Sequence, residues 1–323
     1  MGSGKLKVGV IGVGYLGRYH AEKYAKMKDV ELVGVADNSP GRAKEIAAGL
    51  HTRMFSDYHE LLKLVDAASI VVPTKNHFQV AMDCLEYGLD ILIEKPITKS
   101  ISEADAIVSK ARSCHRIVQV GHIERFNPAV MAMEQYLDKP IFIEAQRLHA
   151  FSPRGTDVDV TLDLMIHDLD IVMSIANSPI KHIHAIGSPV ITDTSDLANA
   201  RLLFENGCCA NLTASRVSKT NTRKLRIFQK QSYISLDFNK KEIWISKQIA
   251  GKNGSPPQEK TDLFSFASQD ALETELKAFI LNVRQRTRPI VSAKEGRLAL
   301  KVALQIIEQI NDFRLEHREL FNA

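Results

Sequence analysis

The chain has 323 residues, of which 45% are hydrophobic and 25% charged, so disorder, collagen and coiled coil are excluded and about two domains are predicted. The four cysteines show no paired spacing, the chain starts without a signal-peptide pattern, and no run of about 18 apolar residues could cross a bilayer. We therefore expect a cytoplasmic protein with reduced thiols and no membrane contact.

The net charge of +4 is concentrated in one stretch of the chain. Residues 216–247 contain nine basic and two acidic side chains, so this stretch carries +7 and the rest of the chain −3. Such a run is usually a solvated face of a strand, and the alternative is contact with an anionic ligand or partner. Since no other feature favours a nucleic acid, we expect none as a partner.

The first part of the chain alternates between strand and helix patterns. Strands that alternate with amphipathic helices form a parallel sheet covered on both faces, so the predicted fold class is α/β with a doubly wound parallel sheet. The strands are predicted at residues 7–11, 31–36, 69–72, 90–93 and 116–120, and the helices at residues 16–27, 41–50, 78–87 and 102–113.

A glycine-rich motif joins the first predicted strand to the first predicted helix. Gly12 permits a tight turn, Gly14 lets a pyrophosphate approach the backbone, and Gly17 allows the helix to pack closely on the strand. Tyr15 and Leu16 lie between these glycines, at a helix N-terminus whose N–H groups and dipole attract phosphate. The motif predicts a dinucleotide-binding loop formed by these five residues.

An acidic residue stands where such a loop requires one. Asp37 lies twenty residues beyond Gly17, at the end of the second predicted strand. A carboxylate there accepts hydrogen bonds from ribose hydroxyls and repels a 2′-phosphate, so NAD is favoured over NADP, although the nearby Arg42 weakens that preference. Residues 1–122 are thus predicted to form an NAD-binding Rossmann domain.

Glu94 and Lys95 follow directly on the fourth predicted strand and precede a proline. Ligands of open parallel sheets bind outside the carboxyl ends of the strands, so both side chains are expected to project toward the cofactor. Taken alone, Lys95 is equally well explained as a surface lysine before a turn.

A second segment follows the third predicted strand. Pro73, Thr74 and His77 come just after residues 69–72, at the same edge of the sheet, and we expect them to line the nicotinamide ribose. The alternative for His77 is a residue of the next helix N-terminus without a ligand.

A predicted helix over residues 160–176 carries polar residues among apolar neighbours. Asp163 and His167 are four residues apart and share one face, and Asp170 lies beside that face. A carboxylate one turn from an imidazole orients it and raises its basicity, which suits a general base near neutral pH. The alternatives are a satisfied Asp–His pair in a core, and a metal site for which no third ligand is apparent. Further strands are predicted at residues 141–149, 183–191, 197–204, 209–217, 225–228, 233–238 and 243–246, and helices at residues 270–284 and 293–313.

These motifs together resemble one known family. The glycine loop, the Glu-Lys-Pro motif and the Asp-x-x-x-His motif occur in the order and at about the spacing of the glucose–fructose oxidoreductase, inositol dehydrogenase and rhizopine catabolism (Gfo/Idh/MocA) family, over essentially the whole chain. The resemblance implies an NAD-dependent sugar dehydrogenase whose residues 123–323 form an α+β domain with a large, open, mostly antiparallel sheet. It also implies that Lys95, Asp163 and His167 surround the reacting carbinol and are the catalytic residues.

Two further segments are similar to the branch of this family that acts on nucleotide-activated amino sugars in lipid A biosynthesis. One is residues 121–128, with Arg125 and Asn127, and the other surrounds Arg154. The resemblance implies that these residues and Asp170 bind a nucleotide sugar, expected to be a UDP-linked N-acetylhexosamine oxidised at its 3-hydroxyl for a partner aminotransferase. Taken alone, Arg125 and Asn127 are more typical of residues that link two domains.

Two other functions fit the same motifs: a cyclitol or free-aldose dehydrogenase, and a non-catalytic NAD-binding regulator. A neutral substrate leaves the basic residues 216–247 without a role, and a regulator has no need of a proton acceptor at His167. The resemblance also implies a homodimer or homotetramer joined through the second sheet, since a broad sheet with one open face is an association surface. We expect no bound metal.

Overall fold

The computed structural model describes residues 4–152, 158–249, 258–266 and 269–320. The chain forms two compact units: the first runs to Ile123 and includes Asp270–Leu300, and the second comprises Glu124–Gln269 and the residues from Lys301 onward. The predicted division after residue 122 placed everything that follows in one domain, whereas the structure packs the segment 270–300 with the first unit.

The strands form two sheets, and the helices are distributed between the units. In chain order the strands are β1 (Leu6–Ile11), β2 (Val30–Ala36), β3 (Arg53–Phe55), β4 (Ala67–Ile70), β5 (Asp90–Glu94), β6 (Val118–Gly121), β7 (Pro140–Leu148), β8 (Ile180–Ser188), β9 (Leu197–Phe204), β10 (Cys209–Ser215), β11 (Thr222–Gln229), β12 (Ser232–Asp237), β13 (Glu242–Ile249) and β14 (Gln258–Ser265). The helices are α1 (Tyr15–Lys26), α2 (Pro40–Gly49), α3 (Tyr58–Leu62), α4 (His77–Glu86), α5 (Ile101–Ser113), α6 (Pro128–Met133), α7 (Ile166–Ala176), α8 (Ala271–Gln285) and α9 (Ala293–Glu316). Among the helices of the described ranges, none is both long and apolar enough to span a membrane.

The first unit is built on a parallel sheet of six strands in the order β3-β2-β1-β4-β5-β6. The strand order reverses between β1 and β4, and this switch point is where ligands of doubly wound sheets bind. The predicted parallel sheet is confirmed. The sequence did not indicate β3, since a strand of three residues is too short to show a periodic pattern.

Helix α8 explains why a late segment of the chain belongs to the first unit. Leu276, Phe279 and Ile280 recur at helical spacing and are buried in one apolar cluster with Val8 of β1 and Tyr24 of α1. The spacing predicts the helix and its apolar face. It does not predict which sheet that face covers.

The second unit is built on a sheet of eight strands in the order β14-β13-β12-β11-β7-β10-β9-β8. β7 and β10 run parallel, and the other neighbouring strands described are antiparallel. The large, mostly antiparallel sheet is therefore confirmed. Its edge strand β14 was not predicted, because its alternation of polar and apolar residues is weak.

The predicted helix over residues 160–176 is present, but its first turn is unusual. Thr161–Met165 form a π-helical turn, and α7 continues from there. Such turns are rare in proteins and occur frequently at functional sites. Helix α7 packs on β7 and β10 and ends at Asn177, which adopts the left-handed conformation that asparagine tolerates.

Candidate active site

The loop between β1 and α1 has a conformation that requires glycine at two positions. Gly12 has a φ of 85°, and a Cβ there would lie 2.5 Å from the carbonyl oxygen of Val71. A Cβ on Gly17 would lie 1.8 Å from the carbonyl oxygen of Gly12. At Gly14 the nearest atom to such a Cβ is a guanidinium nitrogen of Arg42, at 4.0 Å. The loop thus leaves open space at the N-terminus of α1, which fits the pyrophosphate of NAD.

Asp37 follows β2 and is held against this loop by its own carboxylate. Its Oδ2 accepts a hydrogen bond from the Val13 N–H at 2.8 Å, and its Oδ1 accepts one from the Ser39 N–H at 2.8 Å. The guanidinium of Arg42 lies 3.5 Å from Oδ2. A negative charge is therefore fixed where the adenosine ribose of NAD is expected, with one exposed positive charge beside it.

The remaining predicted residues of the loop region lie at the same edge of the sheet. Tyr15 and Leu16 open α1 and are exposed. Pro73 is exposed and Thr74 is half-buried in the turn that follows β4. Because β1 and β4 are parallel neighbours, the chain leaves both strands at one edge, as predicted.

The structure buries the side chain of His77 at this edge of the sheet. The side chain is 1% exposed, with Nδ1 2.9 Å from the Pro96 carbonyl oxygen and Nε2 2.8 Å from the Val72 carbonyl oxygen. Burial lowers the pKa of this imidazole. With both ring nitrogens facing backbone carbonyls, His77 lies between the loop after β4 and the loop after β5, and its contact with the nicotinamide ribose stays a prediction.

Glu94 and Lys95 leave β5 at this edge, and Glu94 faces back into the unit. A Cβ on Gly121 would lie 2.9 Å from the Glu94 carboxylate, and His20 Nε2 is 3.2 Å from Glu94 Oε1. Burial opposes ionisation of Glu94, but His20, Lys95 and His77 outweigh it, so the pKa of Glu94 is lowered. An ionised carboxylate therefore stands next to the half-buried Lys95.

In the second unit, Asp163 lies in the π-helical turn and His167 in the first turn of α7, and both side chains are half-buried. Asp159 holds the start of this turn, since its carboxylate accepts hydrogen bonds from the N–H groups of Thr161 at 2.8 Å and Ser195 at 3.1 Å. Within the described ranges no group of three or more His, Cys, Asp or Glu side chains could hold a metal ion.

Two of the predicted substrate-binding residues pair with each other. Arg125 Nη1 lies 3.6 Å from Asp170 Oδ2, and both side chains are largely buried. Asn127 instead caps α6, where its Oδ1 accepts a backbone N–H at 3.1 Å and its Nδ2 donates to Glu124 at 3.3 Å. Arg154 lies outside the described residues.

A buried arginine beside α7 was not predicted from the sequence. Arg147 is 2% exposed, and its guanidinium donates to both carboxylate oxygens of Asp168. The alternation of β7 indicates this buried position, because Ile143, Ala145 and Arg147 follow the period of two that defines its inner face. An arginine at such a position requires a buried carboxylate partner.

A second inward arginine continues the pattern of β10. Arg216 is 1% exposed, and its Nε donates to Asp196 at 2.7 Å. Its other nitrogens donate to the Val158 carbonyl oxygen and the Thr194 hydroxyl, both at 2.8 Å. Arg216 thus joins the loop before β9 to the chain that leads into the π-helical turn.

The basic stretch of residues 216–247 lies mainly on β11, β12 and β13. Three of its cations face carboxylates: Arg216 pairs with Asp196, Arg226 with Glu144 at 2.9 Å, and Lys224 with Asp237 at 4.0 Å. Most of the other cations are exposed, as expected for a solvated sheet surface: Lys219, Arg223, Lys230, Lys240 and Lys247.

The sheet order, the glycine loop and the acidic residue after β2 define a dinucleotide-binding Rossmann unit. Residues 6–122 match the family described as "Oxidoreductase family, NAD-binding Rossmann fold", and residues 114–235 match the "GFO/IDH/MocA C-terminal domain". The chain belongs to the Gfo/Idh/MocA family of NAD-binding oxidoreductases, as the sequence motifs indicated.

Several characterised proteins are similar to this chain over nearly its whole length. UDP-N-acetylglucosamine 3-dehydrogenase of Acidithiobacillus ferrooxidans is 40% identical over 310 residues, which are 95% of this chain and 98% of that enzyme. A solved structure of that enzyme matches with a TM-score of 0.91 and 39% identity, over 96% of this chain and 98% of its own. Levoglucosan dehydrogenase in complex with NADH and levoglucosan, at 18% identity and a TM-score of 0.85 over 95% and 98% of the two chains, shares the fold.

Proposed function

We propose that this protein oxidises the 3-hydroxyl of UDP-N-acetylglucosamine to a 3-keto sugar, with NAD as the oxidant. The observation that carries the proposal is the 40% identity with UDP-N-acetylglucosamine 3-dehydrogenase over 95% of the chain. The matched family also accounts for the Rossmann unit.

The proposed chemistry divides the reaction among three side chains. When bound, NAD accepts a hydride from the carbinol carbon. His167 takes the hydroxyl proton, and Asp163, one turn earlier, orients the imidazole and stabilises its positive charge. Lys95 stabilises the negative charge that develops on the oxygen. The half-buried positions of all three side chains suit groups that must be ordered and still reach a substrate.

Arg125, Asn127, Arg154 and Asp170 are the proposed substrate-binding residues. Asp170 has the strongest support, because its Oδ2 has no hydrogen-bond partner within the described ranges and lies 3.6 Å from Arg125, beyond ordinary hydrogen-bond distance.

Kinetics on three substrates test the activity. We expect NAD reduction with UDP-N-acetylglucosamine, and much weaker reduction with free N-acetylglucosamine or myo-inositol. Lys95→Ala and His167→Ala should each lower kcat by roughly 10²–10⁴-fold while the NAD dissociation constant stays near the parent value. A preference for the free sugar or the cyclitol would favour the alternative dehydrogenases. NAD binding without turnover on any of them would favour the regulator, and a variant near the parent rate would remove that residue from the mechanism.

The proposal includes a cytoplasmic homodimer or homotetramer that passes its keto sugar to an aminotransferase. The free thiols of the described cysteines suit a reducing compartment. The outer face of the second sheet carries Phe228, Trp244 and Leu263, which are 39–49% exposed in the single chain. Light scattering on the parent and on Trp244→Lys tests the assembly, and we expect the variant to be the smaller species.

A further inference from the structure

Arg147 joins three separate parts of the second unit. Its Nε and Nη2 donate to the Asp168 carboxylate at 3.0 and 2.7 Å, in the two-pronged geometry that arginine and a carboxylate share. Its Nη1 donates to Glu124 Oε1 at 2.8 Å, and its guanidinium lies 5.2 Å from the ring centroid of Phe238. One side chain on β7 therefore holds helix α7, the segment around Glu124 and the end of β12.

The contact with Asp168 restricts how α7 can be placed. Asp168 follows His167 directly, and consecutive residues of a helix point in different directions. Asp168 is 3% exposed and faces the sheet, whereas His167 is half-buried. Because two bonds hold the Asp168 carboxylate, a rotation or a slide of α7 that would move the imidazole also breaks these bonds.

A second, looser ion pair connects the same two segments. Arg125 follows Glu124 directly, and its guanidinium lies 3.6 Å from the carboxylate of Asp170, two residues beyond Asp168. The segment with Glu124 and Arg125 is therefore joined to α7 twice, through Arg147 and through the pair of Arg125 and Asp170. The turn that carries Asp163 is π-helical, so the positions of Asp163 and His167 relative to each other differ from those in a regular α-helix.

Burial raises the pKa of Asp168, although Arg147 opposes this shift, whereas Arg147 itself keeps its charge. Burial disfavours the charged guanidinium, but Asp168 and Glu124 outweigh it, so the pKa of Arg147 is raised and the side chain stays positive. Lysine is not an equivalent, because a single ammonium group lacks the planar fork that spans Asp168 and reaches Glu124.

We propose that Arg147 is a positioning residue that acts through Asp168 to hold the imidazole of His167 in its reactive orientation. The inference rests on the proposed role of His167 in the dehydrogenase. It extends that function to a residue that contacts neither the substrate nor the cofactor.

The first test compares Arg147→Lys with Arg226→Lys in the full chain. Arg226 also pairs with a glutamate on the same sheet, but it is 39% exposed and distant in sequence from α7, so it is the matched control. We expect Arg147→Lys to lower kcat for UDP-N-acetylglucosamine about 100-fold, the effect typical of a misplaced catalytic group, with the NAD dissociation constant unchanged. Arg226→Lys should keep the parent kcat. Equal kcat values for both variants and the parent would overturn the proposal.

The second test separates positioning from stability. The triple variant Arg147→Met, Asp168→Leu, Glu124→Gln removes every charge of the cluster, and such replacement of buried ion pairs by apolar groups often preserves stability. We expect its unfolding midpoint to approach that of the parent while kcat stays low and its pH profile shifts, because the imidazole is no longer held. Recovery of kcat together with stability would assign Arg147 a purely structural role.

A readout without turnover distinguishes this proposal from the proposed function. The ring resonances of ¹⁵N-labelled histidine, assigned with His167→Gln, report the orientation and titration of the imidazole in the NAD-bound protein. We expect the His167 signal to shift or broaden in Arg147→Lys and to remain unchanged in Arg226→Lys. If the parent fails to oxidise UDP-N-acetylglucosamine, the proposed function fails and this measurement still tests Arg147. An unchanged His167 signal in Arg147→Lys would overturn the positioning role.

Discussion

Two buried arginines of the second unit and one buried glutamate of the first unit differ in how their polar atoms are satisfied. In the second unit, Arg147 and Arg216 each donate several hydrogen bonds, and each faces a buried carboxylate. In the first unit, Glu275 of α8 is fully buried, and neither of its carboxylate oxygens has a hydrogen-bond partner within the described ranges. The difference shows that the arginine pairs connect distant segments, whereas Glu275 makes the stability of the protein depend on its protonation.

The largest expected effect comes from breaking the buried ion pair of Arg216 and Asp196. Burial opposes ionisation of Asp196, but the N–H groups of Ile191 and Thr192 and the guanidinium of Arg216 outweigh it, so its pKa is lowered. Asp196→Ala leaves the buried Arg216 without its carboxylate. We expect it to lower the free energy of unfolding by about 3–5 kcal/mol, measured by urea denaturation.

The control for Asp196→Ala removes the partner of a half-exposed arginine. Glu144→Ala leaves Arg226 unpaired but in contact with solvent, and we expect a cost of about 1 kcal/mol or less. An equal cost for the two alanine variants would contradict the comparison.

The contribution of Asp196 to stability also depends on pH. Because the pKa of Asp196 is lowered by folding, its contribution is present above about pH 4 and is lost as the pH falls further.

A second effect concerns the backbone geometry of the first unit. In Gly17→Ala the new Cβ would lie 1.8 Å from the carbonyl oxygen of Gly12, so the loop has to shift. We expect NAD to bind about tenfold more weakly or worse, a loss of about 1.4 kcal/mol, measured by calorimetry. Gly41→Ala is the matched control, because nothing lies within 4 Å of its Cβ position. Weak binding in both variants, or in neither, would show that the loop geometry is not responsible.

The last effect tests the buried carboxyl group of Glu275, and its size grows with pH. Burial raises the pKa of Glu275 well above its usual range, and Glu94 raises it further, so the carboxyl group is protonated in the folded protein at a pH where the unfolded chain is ionised. Stability is therefore full below the unfolded pKa of about 4.3 and declines as the pH rises toward the folded value. Glu275→Gln, which carries no titratable group, should match the parent near pH 4 and become the more stable protein as the pH increases.

Glu273, a partly exposed glutamate on the same helix, is the control for Glu275. Lys277 lowers the pKa of Glu273, so Glu273→Gln should show no gain in stability with rising pH. Denaturation curves of the three proteins over a pH series measure both slopes. A constant difference between Glu275→Gln and the parent at every pH would mean that Glu275 is ionised in the folded state.

The parts of the site that could be predicted are those that depend on neighbours in sequence. Gly12, Gly17 and Asp37 were identified because the turn, the close packing and the strand end recur at fixed spacing in any βαβ unit. His77 was harder, because its motif predicts that it lies near the cofactor edge but not that both ring nitrogens turn inward to backbone carbonyls.

The amino-acid sequence by itself determined the parallel sheet of the first unit, the NAD-binding loop and the helix that carries Asp163 and His167, since these follow from periodicity and local motifs. The class of the second unit followed from the family resemblance. The tertiary structure alone decided that α8 packs with the first unit, that Arg147 meets Asp168 and Glu124, and that Arg125 meets Asp170. The reason is physical: an apolar stripe or an inward arginine demands a partner, but many partners would satisfy it equally well along the chain. The choice among them is made when distant segments are packed together.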